Sequence, residues 1–223
     1  MLDTTRLRSL GDELLAFALG ASCAGCDRGG TVLCTSCRRM MRPKPFVVRT
    51  PGGLPVEAAL PFTGVAARCI RRLKGEGETL LARPLGEALS GVLATEAVSA
   101  ALIVPVPTSR AAHRRRGYRV PDLLVRRAGF RPQRLLRTIA QRSDQRGLGI
   151  QDRAANVFES MHATRRGSER VIVLDDVITT GATLDEAARA LRVAGYDVLC
   201  GMALAATPRH RGLIGDSSAT RRI

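Results

Sequence analysis

The sequence is poor in aromatic residues and has no long hydrophobic run. It contains no Trp, two Tyr and five Phe in 223 residues, so few side chains are available to stack on the bases of a single-stranded nucleic acid. No apolar run approaches the ~18 residues that cross a bilayer, and we expect no transmembrane helix. Residues 14–22 are apolar, but Asp3, Asp12 and Glu13 occupy the place of a cationic leader. We therefore predict a short amphipathic helix at the start of a cytoplasmic protein.

Basic residues outnumber acidic ones by a wide margin, and nearly all of them are arginine. The chain has 35 Lys and Arg against 20 Asp and Glu, a formal charge of +15, and Lys44 and Lys74 are its only lysines. The excess is concentrated between residues 110 and 170, where sixteen arginines accompany five acids. This charge favours an anionic partner such as a phosphate group or a nucleic acid. The composition of a GC-rich genome explains it equally well.

Four of the six cysteines lie within fifteen residues. Cys23 and Cys26 form one CxxC pair, and Cys34 and Cys37 form a second pair after an interval of seven residues. Two such turns facing each other make a tetrahedral cage of four sulfurs, which suits Zn²⁺ and leaves no position open for a substrate. Disulfides and an iron–sulfur cluster are the alternatives. Because so short a segment cannot bury a core of its own, we predict a structural zinc site.

The rest of the chain alternates between apolar strands and amphipathic helices. The predicted strands are 101–106, 171–174 and 198–206, and the predicted helices are 65–73, 79–93, 111–128 and 182–194. The helix at 111–128 is expected to break near Pro121. This alternation is typical of α/β proteins with a parallel sheet that helices cover on both faces.

Three segments of different composition follow from these patterns. Residues 42–55 are rich in Pro and Gly and are predicted to be an irregular linker. Residues 207–223 form a polar, basic tail without a buried face. We therefore expect an N-terminal helix, a zinc module and a linker in 1–55, an α/β domain in 56–206, and the tail.

The stretch VIVLDDVITTGAT, residues 171–183, is the most informative motif. Four apolar residues predict a strand buried on both faces, and Asp175 and Asp176 follow at its carboxyl end, where open α/β sheets bind their ligands. Residues 179–183 then form a small, hydroxyl-rich turn that opens a helix, a ready site for one phosphate group. Because the two carboxylates would repel that phosphate, we expect them to face sugar hydroxyls or a magnesium ion. A diol and a phosphate on one small ligand indicate a ribose phosphate.

Three other kinds of protein carry a similar strand and acids, but each requires a feature that this sequence lacks. A Walker-B strand needs a GxxxxGK[ST] loop, and no Gly-Lys pair occurs in the chain. A dinucleotide-binding GxGxxG is absent as well. The acid pair of a response regulator lies near the start of its domain, whereas only 47 residues follow Asp176.

The motif resembles the signature with which type I phosphoribosyltransferases bind phosphoribosyl pyrophosphate (PRPP). Together with the four-cysteine module, it is similar to the ComF family of competence-associated, phosphoribosyltransferase-like proteins. Three further stretches resemble that family: IVPVPTSR at 103–110, RRRGY at 114–118 and QRGLGIQDRAANV at 145–157. The resemblance covers about residues 20–206 and implies a type I phosphoribosyltransferase-like sheet flanked by helices, with a small zinc ribbon in front.

The resemblance also implies a role for each matching residue. Asp175 and Asp176 would hold the ribose 2′- and 3′-hydroxyls, with Mg²⁺ bridging the ribose and the pyrophosphate. The 5′-phosphate would be bound by Thr179, Thr180, Gly181, Ala182 and Thr183. The pyrophosphate would be received by Thr108, Ser109 and Arg110. Residues 141–151 either close over this site to exclude water or form an ordinary solvated loop.

Two functions are compatible with these features. The first is an enzyme that transfers the phosphoribosyl group of PRPP to an acceptor and is linked to DNA uptake. The second is a non-enzymatic, PRPP-sensing accessory of DNA uptake or recombination that binds single-stranded DNA through a basic face including Arg114, Arg115 and Arg116. No motif in the sequence predicts the acceptor or the oligomeric state.

Overall fold

The computed structural model describes residues 22–94, 98, 100–139 and 160–208. The predicted N-terminal helix, the segments 141–151 and 145–157 and most of the basic tail lie outside these residues. Among the described residues, no helix has the length and apolar character needed to cross a membrane.

The core of the protein is a five-stranded, mostly parallel sheet. Its strands are β1 (Phe46–Arg49), β2 (Pro55–Pro61), β3 (Leu102–Pro105), β6 (Arg170–Ile178) and β7 (Asp197–Ala206), in the order β1-β2-β7-β6-β3. The pairs β2–β7, β7–β6 and β6–β3 are parallel, and β1 pairs with β2 antiparallel. The continuous apolar run of β6 is explained by this central position, because both faces of the strand are buried.

Helices cover both faces of the sheet, and each face has its own hydrophobic core. The helices are α1 (Thr35–Met40), α2 (Gly64–Gly75), α3 (Ala82–Leu93), α4 (Arg110–Arg116), α5 (Val120–Arg127) and α6 (Ala182–Val193). One core contains Ile70, Leu89 and Leu124 from α2, α3 and α5. The other contains Leu184 and Leu191 from α6. The predicted α/β class, with a mostly parallel sheet flanked by helices, is confirmed.

A small second sheet packs against α6. It is the antiparallel pair of β4 (Leu136–Thr138) and β5 (Met161–Ala163). The buried Glu186 of α6 accepts a hydrogen bond from the backbone N–H of Met161 at 2.9 Å, which fixes this two-stranded sheet to the helix. The two strands are only three residues long, too short for an alternation of apolar and polar residues to predict them.

One local prediction was wrong. The segment 42–55 is not wholly irregular, because it contains β1, which pairs with β2 in the central sheet. The arginine-rich helix breaks just before Pro121, as predicted: Gly117 ends α4 with φ of +78°, and α5 begins at Val120. Pro121 lies in the first turn of α5, where its missing N–H has no helical acceptor to lose. The division of the chain at residue 55 stays a prediction.

Candidate functional site

The two predicted acids lie side by side in the second half of β6. The strand was predicted to end before them, but it continues to Ile178, so Asp175 and Asp176 are strand residues. Asp176 is buried and Asp175 is half-buried. The backbone N–H of Asp176 donates to Oδ1 of Asp175 at 2.8 Å. The acid pair is therefore held at the carboxyl end of a central parallel strand, next to the turn that follows Ile178.

A lysine that was not among the predicted site residues pairs with the second acid. Nζ of Lys74, in the last turn of α2, lies 2.8 Å from Oδ1 of Asp176. The backbone around this lysine is fixed by the RRRGY segment: Nε of Arg116 donates to the Lys74 carbonyl at 2.6 Å, and the Tyr118 hydroxyl donates to the Leu73 carbonyl. Arg116, expected on a nucleic-acid face, thus contacts α2, whereas Arg114 and Arg115 are exposed.

Burial and charge act in the same direction on Asp175. Burial, followed by the neighbouring charge of Asp176, raises the pKa of Asp175 well above its ordinary value, and Lys74 only partly opposes this rise. Two adjacent carboxylates in a low-dielectric site cannot both ionise without a cation nearby. The pair is thus a site that a divalent cation or a hydrogen-bonded hydroxyl group would stabilise.

The hydroxyl-rich turn 179–183 forms as the sequence predicts, and α6 begins within it. Thr179 and Thr180 are exposed. Gly181 precedes the helix with φ of +89°, and a Cβ there would lie 2.8 Å from Cγ2 of Thr50, so only glycine fits. Ala182 and Thr183, the first two residues of this twelve-residue helix, are half-buried, and their backbone N–H groups lie at its positive end.

Asp185, in the first turn of α6, fixes the turn between β1 and β2 beside this site. Its carboxylate accepts hydrogen bonds from the Thr50 hydroxyl and from the Gly52 N–H, the latter at 2.8 Å. No sequence pattern indicates this contact, because it joins residues 133 positions apart. The segment predicted to be a linker therefore packs against the turn at Gly181.

The predicted pyrophosphate segment follows the neighbouring strand. Strand β3 runs parallel to β6 with Pro105 opposite Leu174, so residues 108–110 leave the sheet at the same edge as the acid pair. Ser109 begins α4, and its Oγ accepts the Ala112 N–H at 3.2 Å. Ser109 and Arg110 are exposed, and Thr108 is half-buried. The structure therefore brings the three predicted segments to one edge of the sheet.

The four cysteines form the cluster expected from their spacing. Their sulfur atoms all lie within 4.8 Å of one another, and Sγ of Cys26 is 3.7 Å from Sγ of Cys34. At a Zn–S distance of ~2.3 Å, the edge of a sulfur tetrahedron is about 3.8 Å. Burial acts to raise the pKa of Cys23, but backbone N–H groups, chiefly that of Cys34, outweigh it and lower the pKa to about 6. The cluster geometry and this thiolate fit a zinc ion.

The cysteine module is packed against α2. A Cβ at Gly25 would lie 2.5 Å from Sγ of Cys37 and 2.9 Å from Cγ1 of Val65, so the first CxxC turn lies in close contact with the helix. Asp27 forms ion pairs with Arg72 at 2.5 Å and with Arg68 at 3.6 Å. The helix that ends just after Lys74 therefore carries the cysteine module on its earlier turns.

Replacing Asp175 by Asn is expected to stabilise the unliganded protein. Because folding raises the pKa of Asp175, the ionised carboxyl destabilises the fold above its unfolded-state pKa of ~3.9, and this destabilisation is complete only above the folded-state pKa. The stability gain of Asp175→Asn over wild type should therefore be smallest below about pH 4 and should grow as the pH rises above it, measured by urea unfolding.

The exposed Asp197 is the matched control, since Asp197→Asn removes a carboxylate from the start of β7 without touching the pair. It should show no comparable gain. A gain for Asp175→Asn that does not change with pH would contradict the argument from burial.

A curated relative supports the resemblance that the motifs carry. The chain is 33% identical over 104 residues to Competence protein F of Haemophilus influenzae, a match that covers 43% of this chain and 45% of that protein. It thus spans less than half the length of the curated relative. No family model matches the chain.

Two solved structures of low similarity also match. Glutamine phosphoribosylpyrophosphate (PRPP) amidotransferase from B. subtilis has a TM-score of 0.36 at 22% identity, covering 54% of this chain and 25% of that one. Orotate phosphoribosyltransferase from Aeropyrum pernix has a TM-score of 0.35 at 16% identity, covering 77% and 79%. Similarity at this level does not define the fold, which follows from the chain's own sheet order. The match to Competence protein F agrees with the resemblance carried by the motifs: the chain is similar to that competence protein over 104 residues.

Proposed function

We propose that this chain binds PRPP at the carboxyl edge of β6 and acts as a phosphoribosyltransferase-like protein linked to DNA uptake. The observation that carries the proposal is the arrangement of β6: an acid pair in the strand, followed directly by a hydroxyl-rich turn that opens α6. One strand thereby offers carboxylates for a diol and, within a few residues, N–H groups for a phosphate.

The turn 179–183 would bind the 5′-phosphate. The backbone N–H groups of Ala182 and Thr183 have no helical acceptor, although that of Ala182 donates to Oγ1 of Thr180 at 3.4 Å, and the positive end of the helix dipole favours an anion there. The exposed hydroxyls of Thr179 and Thr180 add donors that a phosphate oxygen accepts. The close approach of Gly181 to Thr50 fixes the conformation of this turn.

The acid pair would hold the ribose and the magnesium ion. Carboxylate oxygens are the ligands that Mg²⁺ prefers, and Mg²⁺ is commonly bound by one or two carboxylates together with the phosphates of a substrate. Asp175 and Asp176 would supply them, and the bound cation would neutralise charge on the departing pyrophosphate. The pair would also stabilise the positive charge that develops on the sugar, while Ser109 and Arg110 hold the leaving group.

The four-cysteine cluster is proposed to hold one structural zinc ion. Cys23, Cys26, Cys34 and Cys37 fill all four tetrahedral positions, so no position is left for a substrate. The metal would fix the module on α2 and would take no part in chemistry at β6.

Mg-PRPP should stabilise the folded protein, and the stabilisation should require the acid pair. A ligand at a hundred times its Kd adds about 2.7 kcal/mol to stability, which raises Tm by several degrees for a chain of this size. The double variant Asp175→Asn/Asp176→Asn should lose this shift in a thermal melt, because both diol acceptors lose their charge. The control Asp197→Asn should keep it.

An absence of PRPP-dependent stabilisation in the wild-type protein, at any magnesium concentration, would overturn the proposal. Release of pyrophosphate on mixing with PRPP and a pool of nucleobases separates an enzyme from a protein that only binds PRPP.

One zinc ion per chain is expected in the purified protein. Cys26→Ser removes one ligand from the exposed side of the cluster and should lower both the zinc content and the Tm, since metal binding contributes folding free energy. Cys200→Ser is the control, because Cys200 lies in β7, outside the cluster. A full-length preparation that folds without metal and gains no stability from zinc would contradict the assignment.

Single-stranded DNA binding is a second candidate function, favoured by exposed arginines on α4 and α5. Arg114 and Arg115 are exposed on α4, and Arg126 and Arg127 on α5. If they follow a phosphate backbone, Arg114→Ala/Arg115→Ala should weaken binding and reduce the salt slope by ~0.7 for each phosphate that is no longer neutralised. Arg116 is left intact because it contacts α2.

The control for this measurement is Arg39→Ala/Arg42→Ala, which removes two exposed arginines from the cysteine module side of the chain. Equal weakening in the two double variants would mean that net charge alone is responsible. DNA binding that does not respond to salt would count against the second function altogether.

A further inference from the structure

The ammonium of Lys74 forms an ion pair with the carboxylate that the proposed ligand would use. Nζ of Lys74 is 2.8 Å from Oδ1 of Asp176, and the two side chains are 33% and 8% exposed, respectively. Ion pairs between two exposed side chains contribute little, but here the carboxylate is buried, and removing its partner would leave an uncompensated charge. Only two of the 35 basic residues in the chain are lysines, and one of these two, Lys74, lies at the acid pair.

The backbone of this lysine is fixed more firmly than its side chain. The last carbonyls of α2 have no helical donor, and those of Leu73 and Lys74 accept hydrogen bonds from Tyr118 and Arg116. The positive charge of Arg116 also matches the negative end of the helix dipole. The Lys74 side chain is one-third exposed and has a flexible four-carbon stem, so its ammonium can leave Asp176 while the backbone stays in place.

We propose that Lys74 is a displaceable counter-cation of the acid pair. It neutralises Asp176 when no ligand is present, competes with a divalent cation for that carboxylate, and so sets the affinity of the site for the cation. Arg116 and Tyr118 are positioning residues that keep the ammonium within reach. The inference rests on the proposed function in so far as the cation is the one that accompanies PRPP.

The competition has a simple electrostatic basis. With Lys74 in place, the fully ionised pair and the lysine together carry one negative charge, and a divalent cation must displace the ammonium to reach both carboxylates. Without Lys74, the cation no longer has to displace an ammonium and competes only with a proton for the pair. Removing the lysine should therefore strengthen binding of the cation in the absence of PRPP. The same change removes a charge that stabilises the unliganded fold.

Manganese binding in the absence of PRPP tests this proposal. Mn²⁺ is used because it prefers the same oxygen ligands as Mg²⁺ and because free Mn²⁺ is measured directly by electron paramagnetic resonance. At one fixed pH, Lys74→Met should bind Mn²⁺ about tenfold more tightly than wild type, which corresponds to ~1.4 kcal/mol. Adding Asp176→Asn to this variant should abolish the gain.

Lys44→Met is the matched control, since it removes the only other lysine, which is exposed, and it should bind Mn²⁺ as wild type does. Lys74→Arg should restore the weaker affinity, because it keeps the competing charge. If Lys74→Met is poorly folded, Lys74→Gln keeps a hydrogen-bond donor to Asp176 without the charge and should show the same gain.

The outcomes separate this inference from the proposed function. Unchanged or weaker Mn²⁺ binding by folded Lys74→Met or Lys74→Gln overturns the counter-cation, even if Mg-PRPP stabilises wild type. Tighter Mn²⁺ binding supports the counter-cation, even if PRPP fails to stabilise any form and the proposed function is overturned. A gain that survives Asp176→Asn would place the cation elsewhere and overturn the inference.

Discussion

Two adjacent carboxylates in a central strand impose the constraint on which the rest of the site depends. Asp176 is buried and Asp175 has a raised pKa, first because of burial and then because of its neighbour's charge. A pair of this kind is stable only next to a cation, and the fold supplies one from a different element, Lys74 of α2. If β6 had only a structural role, apolar residues would fill it without the free-energy cost of burying two adjacent carboxylates.

The helix α2 connects the two sites that the sequence presents as separate. Its early turns pack against the cysteine module, through the contact of Val65 with the turn at Gly25, and its last turn holds the lysine. Asp27 of the module binds Arg72, two residues before Lys74. A metal in the cysteine cluster would therefore serve the acid pair indirectly, by fixing the helix from which the counter-cation extends.

Local patterns predicted the parts of the fold that depend on local chemistry. The apolar run at 171–174 identified β6, and the small-residue turn identified the start of α6. The strand β1 was missed because its four residues are only partly buried and lie between prolines and a Gly-Gly turn. The Lys74–Asp176 pair was missed because its partners are 102 residues apart, and no periodicity reports a contact of that range. The same holds for Asp185, whose bonds to Thr50 and Gly52 become visible only in three dimensions.

The turn at 179–183 and the acid pair are proposed to bind one ribose phosphate between them. Backbone amide NMR can follow this binding when the protein is titrated with Mg-PRPP and, separately, with magnesium pyrophosphate. We expect PRPP to shift the amide signals of Gly181, Ala182 and Thr183 together with that of Asp176, and pyrophosphate alone to shift signals near Ser109 instead. If the amide signals of the turn stay in place under saturating Mg-PRPP, the two segments do not share one ligand.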